Sequence, residues 1–346
     1  MARLEQRIRI KDIAKSIGVS PMAVSLALRN QPGVSDKTRK RILSKATEMG
    51  YVADPAMTAL SAYRTRRHSR KEFATIAILD NWPAVHDWAE FASASLLLDG
   101  ARESCSKYGY QLEVFRTVKQ SISDRRLSDI LYSRGIRGLV IAPLCNPEKT
   151  LDVDWSKFST ITIEQPFSLP DFHYISPDYL WDISQVWRKL MERGYERIGL
   201  VLPHEAAERV QYHWAAAHMF EQQKNAPQSK RLPMLYLKDY EKKATFLKWL
   251  KQTKPDVVIS KNEVIYRWLR EDGYSIPNDI GYVSLTACDE PHINPAGITQ
   301  NRRLMGKLLI DILHGFLMQQ SSGIEAAKVG TTVQGTWTEG TTIRSL

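Results

Sequence analysis

The chain has 346 residues, 43% hydrophobic and 25% charged, with a net charge of +10. That is enough for two or three structural units, and its longest apolar run falls short of the ~20 residues that a membrane span needs. Its three cysteines, Cys105, Cys145 and Cys288, are far apart and odd in number, which fits reduced thiols in a cytoplasmic protein better than a disulfide frame or a metal cluster.

The charge is placed at one end. Residues 1–72 carry 16 Lys and Arg against 6 Asp and Glu, so the whole +10 excess lies there and the remaining residues balance. A basic module on a neutral body is the electrostatic footprint of a nucleic-acid binder. Within it, IKDIAKSIG (10–18) sets Ile10, Ile13, Ala14 and Ile17 on one helical face and stops at Gly18. Ser20 is a suitable N-cap and Pro21 a suitable first residue for a second helix, which sends Val24 and Leu28 inward and Met22, Ser25, Leu26 and Arg29 outward. Ser35 caps a third helix with an apolar stripe of Ile42, Leu43, Ala46 and Met49, ended by Gly50. Three short helices with a tight turn between the first two make a helix-turn-helix. Its second helix enters the major groove, where an uncharged surface reads base edges while nearby cations hold phosphates.

The stretch IRIKDIAKSIGVSPMAVSLALRNQPGVSDKTRKRILSKATEMGYVADPAMTAL resembles the DNA-binding head of the LacI-type (lactose-repressor family) regulators. The D-[IV]-A, G-V-S, V-S, V-S-x-x-T-R and G-Y elements all stand at that family's spacing. The likeness is close over 9–61 and looser beyond. It implies that Pro21, Met22 and Leu26 face bases, and that Ser20, Ser25, Arg29, Ser35, Thr38 and Tyr51 support phosphate contacts. Many members carry Arg or His where this chain has Leu26, so apolar contact, as with a thymine methyl, replaces bidentate reading of guanine there. The small-residue segment 54–62 is short for an isolated helix. By resemblance it is a hinge helix that forms on DNA and drives Leu60, beside Ala59, into the minor groove, bending the duplex. The expected division is a head at 1–53, a hinge and linker at 54–72, and a core at 73–346.

From residue 73, short β-branched runs alternate with amphipathic segments. The runs are 74–80, 110–115, 138–143, 159–164, 197–203, 234–237, 256–260 and 281–286; the helices between them are 90–108, 121–134, 178–193, 205–223, 241–252, 262–272 and 302–319. Buried strands alternating with helices predict parallel sheets covered on both faces, an α/β core behind an all-α head. The resemblance implies two lobes of the periplasmic-binding-protein-like (type I) fold, the first at about 73–176 with 301–325, the second at 177–300 with 326–346.

In open α/β sheets a ligand sits beyond the carboxyl ends of the strands. Those ends supply Asp80, Asn81, Trp82, Pro143, Glu164, Asn262, Glu263 and Thr286, joined by Asp178 and by Arg209, Gln211 and Trp214 on a second-lobe helix. Carboxylates, amides and indoles suit a sugar, whose C–H face stacks on flat rings. Two positions depart from sugar-responsive relatives: Val210 stands where they carry arginine, and Thr286 where they carry aspartate. The chain has no GxSxG, HExxH, GxxxxGK[ST] or CxxC motif, and neither a cofactor nor a reaction is expected. The expectation is a cytoplasmic, homodimeric, non-enzymatic regulator, a repressor, of a near-palindromic operator on double-stranded DNA, responding to a small effector related to carbohydrate use. The alternative is a core that only dimerises and binds no ligand.

Overall fold

The computed structural model describes residues 8–28, 33–51, 74–82, 88, 91–117, 123–144, 150–165, 169–238, 242–290, 292–324 and 327–346. The expected hinge with Ala59 and Leu60, as well as Arg29 and Cys145, lie outside the described residues. The chain divides at residue 72 into two compact units.

The first unit holds α1 (Ile10–Ile17), α2 (Pro21–Leu28) and α3 (Asp36–Glu48). Gly18 ends α1 in the left-handed region, φ 68°, which glycine adopts without a Cβ penalty. The Ala23 amide donates to Ser20 Oγ at 3.1 Å, and the Thr38 amide to Ser35 Oγ at 3.4 Å. Each hydroxyl thereby satisfies one of the amides a helix start leaves open. Ile13, Ala14, Val24, Ala27, Ile42 and Ala46 close a small core. Leu43, expected in the apolar stripe, is instead 42% exposed: Ile42 and Ala46, four apart, already fill the inward face, and Leu43 is rotated off it.

The second unit contains two six-stranded sheets. The first orders its strands β11-β5-β4-β3-β1-β2, formed by β1 (Ala74–Asp80), β2 (Tyr110–Arg116), β3 (Gly138–Ile141), β4 (Ser159–Ile163), β5 (His173–Pro177) and β11 (Gly330–Val333), all pairs parallel. The second orders them β12-β10-β9-β8-β6-β7, formed by β6 (Ile198–Pro203), β7 (Leu235–Leu237), β8 (Val257–Ser260), β9 (Gly281–Ser284), β10 (Ala296–Thr299) and β12 (Thr336–Thr338), with only β12 antiparallel to its neighbour. Burial on both faces explains the continuous apolar runs. In β1, Ile76 and Ile78 pack under α4 (Ala92–Tyr108) and α11 (Arg302–Gln319), while Ala77 and Leu79 pack on the other face with α5 (Asp124–Ser133). The second sheet is covered by α6 (Tyr179–Glu192) and α8 (His213–Asn225) on one face, and by α9 (Lys243–Thr253) and α10 (Glu263–Glu271) on the other.

Three features differ from expectation. The segment 326–346 does not all join the second lobe: β11 pairs with β5 in the first sheet, and the chain crosses only at Gln334–Gly335 before entering β12. The single helix expected at 205–223 is two, α7 (His204–Arg209) and α8, because Gln211 (φ 51°) and Tyr212 (φ 57°) take left-handed conformations that break the ladder. The strands β5, β10, β11 and β12 were not expected. All four are short and have no apolar run to reveal them, and β10, β11 and β12 are rich in Gly and Thr.

The helices α4 and α11 touch backbone to backbone. A Cβ on Gly306 would stand 1.9 Å from the Leu97 carbonyl oxygen, and one on Gly100 1.9 Å from that of Arg303. Gly306→Ala must therefore push two buried helices apart, and should cost at least the ~1–3 kcal/mol typical of overpacking. Urea unfolding followed by tryptophan fluorescence would measure it, and an unchanged midpoint would refute the close crossing.

Candidate functional site

In the head, α2 carries no charged side chain between Pro21 and Leu28. Pro21 is exposed, Met22 is 62% exposed and Leu26 half-buried, so the helix presents a surface of apolar atoms. Val24 and Ala27 anchor its other side in the core. Lys11, Lys15, Lys37, Lys40 and Arg41 are exposed around it, and Arg41 also donates to the Ile17 carbonyl, tying α3 to the end of α1. Tyr51 packs half-buried against the head core, and the Ser35 and Thr38 hydroxyls lie 2.9 Å apart.

In the core, three crossovers join the lobes: Pro177–Tyr179, Gln300–Asn301 and Gln334–Gly335. They are laced together, the Asp178 amide donating to the Val333 carbonyl at 2.9 Å and Asn301 Nδ2 to the Gln334 carbonyl at 2.7 Å. Between the lobes the expected residues fall into two groups.

The strand-end group is largely occupied with itself. Asp80 is buried; the Trp82 amide donates to its Oδ1 at 2.9 Å, its Oδ2 has no partner, and burial pushes its carboxyl above the usual range. Asn81 is buried beside it. Trp82 Nε1 donates to the Pro143 carbonyl at 2.6 Å. Arg209 reaches across from the second lobe, donating through Nε to the Leu144 carbonyl at 3.1 Å, its guanidinium 5.0 Å from the Trp82 ring centre. On the second lobe, Asn262 Oδ1 caps α10 by accepting from the Val264 amide at 2.8 Å, next to half-buried Glu263. Thr286 is buried and donates to the Lys261 carbonyl at 3.1 Å. The Lys261 ammonium is lowered to about 8, first by burial and then by the nearby Arg209 charge.

The second group surrounds an open chamber of about 360 Å³ beside the crossovers. It brings together Glu164, Asp178, Arg209 and Gln211 with residues sequence reasoning did not single out, Tyr179, His213 and Thr332 among them. Gln211 Nε2 donates to the Gln165 carbonyl at 2.5 Å, a further bridge between lobes. Glu164 sits at the end of β4 with φ 64°; its Oε1 is 3.6 Å from Arg302, and its carboxylate faces the buried Tyr179 hydroxyl. Burial raises the Tyr179 phenol well above its ordinary value, and the Glu164 charge adds to this. Trp214, expected to face the ligand, is 2% exposed inside the second lobe's core, edge-on to Tyr179 at 5.0 Å. The break at Tyr212 starts α8 in a register that turns Trp214 onto the sheet and leaves His213 outward. Tyr179 and Arg302 gave no sequence signal beyond adjacency to the crossovers, whose positions follow from strands that were not foreseen.

Among the described residues no group of three or more His, Cys, Asp or Glu could hold a metal ion, and no helix is long and apolar enough to cross a membrane.

Residues 9–54 match the family model described as bacterial regulatory proteins, lacI family. The HTH-type transcriptional regulator MalR of Streptococcus pneumoniae (TIGR4) is 26% identical over 133 residues, and that match spans 38% of this chain and 38% of MalR. The HTH-type transcriptional repressor PurR of Photobacterium profundum is 21% identical over 336 residues, covering 88% of this chain and 90% of PurR. Among solved structures, the transcriptional regulator CelR in complex with cellobiose shares the fold, with a TM-score of 0.60 at 18% identity over 97% of this chain and all of that one. Residues 9–54 thus carry the DNA-binding head of the LacI-type family of bacterial regulatory proteins, and the two-lobed core shares the fold of such regulators.

Proposed function

We propose that this chain is a sequence-specific DNA-binding repressor that works as a homodimer on a near-palindromic operator and answers to a small, carbohydrate-related effector held between its core lobes. The observation that carries the DNA reading is α2: an exposed helix without a charged side chain, set among exposed lysines and arginines. Pro21, Met22 and Leu26 then meet base edges, while Ser20, Ser25, Arg29, Ser35, Thr38 and Tyr51 serve the phosphate backbone. Ala59 and Leu60 act in the minor groove as an apolar wedge. Asp80, Asn81, Trp82, Pro143, Glu164, Asp178, Arg209, Gln211, Asn262, Glu263 and Thr286 stand around the space between the lobes. The buried Trp214 is not among them. The cellobiose bound to CelR, whose fold this chain shares, supports a small carbohydrate as effector.

Selection of binding sites from random duplexes tests the base reading. Leu26→Arg should move the preferred site toward guanine at one symmetric pair of positions, at about 1–3 kcal/mol per bidentate contact. In the same assay log K should fall by roughly 0.9 per log unit of salt for each phosphate neutralised. An unchanged consensus removes Leu26 from the reading face, and salt-insensitive binding refutes the electrostatic grip.

A further inference from the structure

We infer that the outer faces of α6 and α8 form a docking groove for an acidic amphipathic helix of a partner protein. Such a groove depends on neither the DNA reading nor the effector reading.

Helical spacing gives each of these helices two faces. Inward, α6 buries Ile183, Val186 and Leu190, and α8 buries Trp214, Ala217 and His218. The two helices lie side by side: Trp187 Nε1 donates to His218 Nδ1 at 3.1 Å, and Ser184 Oγ to Glu221 Oε1 at 2.6 Å. Outward, Leu180, Trp181 and Met191 on α6 and Met219 and Phe220 on α8 are between 40% and 59% exposed. The water-facing side of a surface helix is ordinarily polar. Apolar side chains exposed singly need no explanation, but five on two adjoining helices make a patch of the kind that marks an interaction site. The small, exposed Ala216, one turn before Phe220, leaves a low point beside that ring.

Shape and charge choose the occupant. The helices have 14 and 13 residues, so the seam between them runs for about 20 Å, the length of a third helix of about 13 residues. An amphipathic helix laid with its apolar face in such a seam is a recurring mode of recognition. The rim is cationic. Arg188 bonds the Gln185 side chain, the Lys224 ammonium lies 6.0 Å from the Phe220 ring centre, and Arg231 bonds Gln223 and the Ala226 carbonyl. Among the described residues these contacts are all with neutral groups. The nearby carboxylates are already taken, Glu192 by Lys189 at 3.6 Å, and Glu221 by Ser184 and by Asn225 Nδ2 at 2.7 Å. A second copy of this chain docked face to face would bring the same cations and no free carboxylate to meet them. A helix with Asp and Glu beside its apolar stripe complements both the patch and its rim.

The test selects from a display library of random 16-residue peptides on the immobilised full chain. Enriched peptides, labelled with fluorescein, are then titrated by anisotropy. The titrations compare wild type with Phe220→Ser, Met219→Ser, the double variant Arg188→Glu with Lys224→Glu, and Val329→Ser, at an exposed apolar position beside the first sheet. The expected peptides carry apolar residues at i, i+3 or i+4 and i+7, with Asp or Glu between them. Their affinity should fall at least tenfold in Phe220→Ser, in Met219→Ser and in the double charge variant, and stay within twofold in Val329→Ser. All these positions are exposed, so an unmoved tryptophan-fluorescence melting curve separates lost docking from lost folding. No enrichment, enriched peptides without acidic residues, or affinity unmoved by Phe220→Ser and Met219→Ser overturns the groove. So does a sedimentation mass that falls in Phe220→Ser with no peptide present, because a second copy of this chain would then be what covers the patch.

Discussion

Ile42→Ala should abolish operator binding while leaving the core as stable as before. Ile42 is fully buried at the meeting point of the three head helices, in a small core where six buried side chains are found among the described residues. Truncating such an isoleucine costs about 2–5 kcal/mol. A three-helix module of this size has little more than that in reserve, because small domains bury a smaller fraction of their surface. The loss is therefore all-or-none for the head. All nine tryptophans lie beyond residue 72, so intrinsic fluorescence reports the core alone. Fluorescence anisotropy on a labelled operator should show at least a hundredfold weaker binding, with an unmoved tryptophan melting curve. Retained affinity would mean that the three helices are not held by this core, and a shifted core transition that the two units do not fold independently.

Legibility in the sequence followed the strength of local patterning. The head was readable because its signals are local: an αL glycine, two hydroxyl caps and apolar residues spaced by helical turns fix α1 to α3 within a few residues of each other. The central strands were readable because burial on both faces leaves runs such as ATIAILD and GLVI. The crossover region was not. The strands β10, β11 and β12 satisfy their backbones with partners far along the chain, and AGIT, GTTV and TWT carry no run to announce them. The candidate ligand residues inherit that limit. Strand-end logic reaches Glu164, at the end of β4, with Asp178 added beside it. It cannot know that a left-handed break at Gln211–Tyr212 would turn Trp214 inward, or that Tyr179 and Arg302 would meet Glu164 from two different crossovers.

The same crossovers hold a buried carboxyl with a large expected response to pH. Asp182, on α6, is fully buried; its Oδ1 accepts from the Gly335 amide at 2.9 Å and its Oδ2 has no partner. Burial pushes its carboxyl up to about 7; the Gly335 bond and the Arg302 charge oppose that, and the Asp178 charge adds to it. The ordinary value is 3.8, so between about pH 4 and 7 the folded chain keeps a proton that the unfolded chain has released. Stability must then fall as pH rises through that window and level off above it, by at most about 4 kcal/mol for a three-unit difference. Glu290, buried and also raised to about 7, acts in the same sense, while His218, held down near 3 by burial, acts in the opposite one below its ordinary value of 6.5. The wild-type slope is therefore a sum, and the difference between wild type and Asp182→Asn isolates Asp182. Asparagine keeps the acceptor for Gly335 and removes the charge, but places an unpartnered N–H where Oδ2 was, a cost of about 1–3 kcal/mol. Relative to wild type, Asp182→Asn should gain roughly 2–3 kcal/mol between pH 5 and pH 8, ending about 1–3 kcal/mol ahead. Urea unfolding by tryptophan fluorescence at pH 5, 6.5 and 8 measures this directly. A difference that stays constant with pH would mean that Asp182 is already ionised in the folded core, and that a charge, not a proton, is stored where the lobes join.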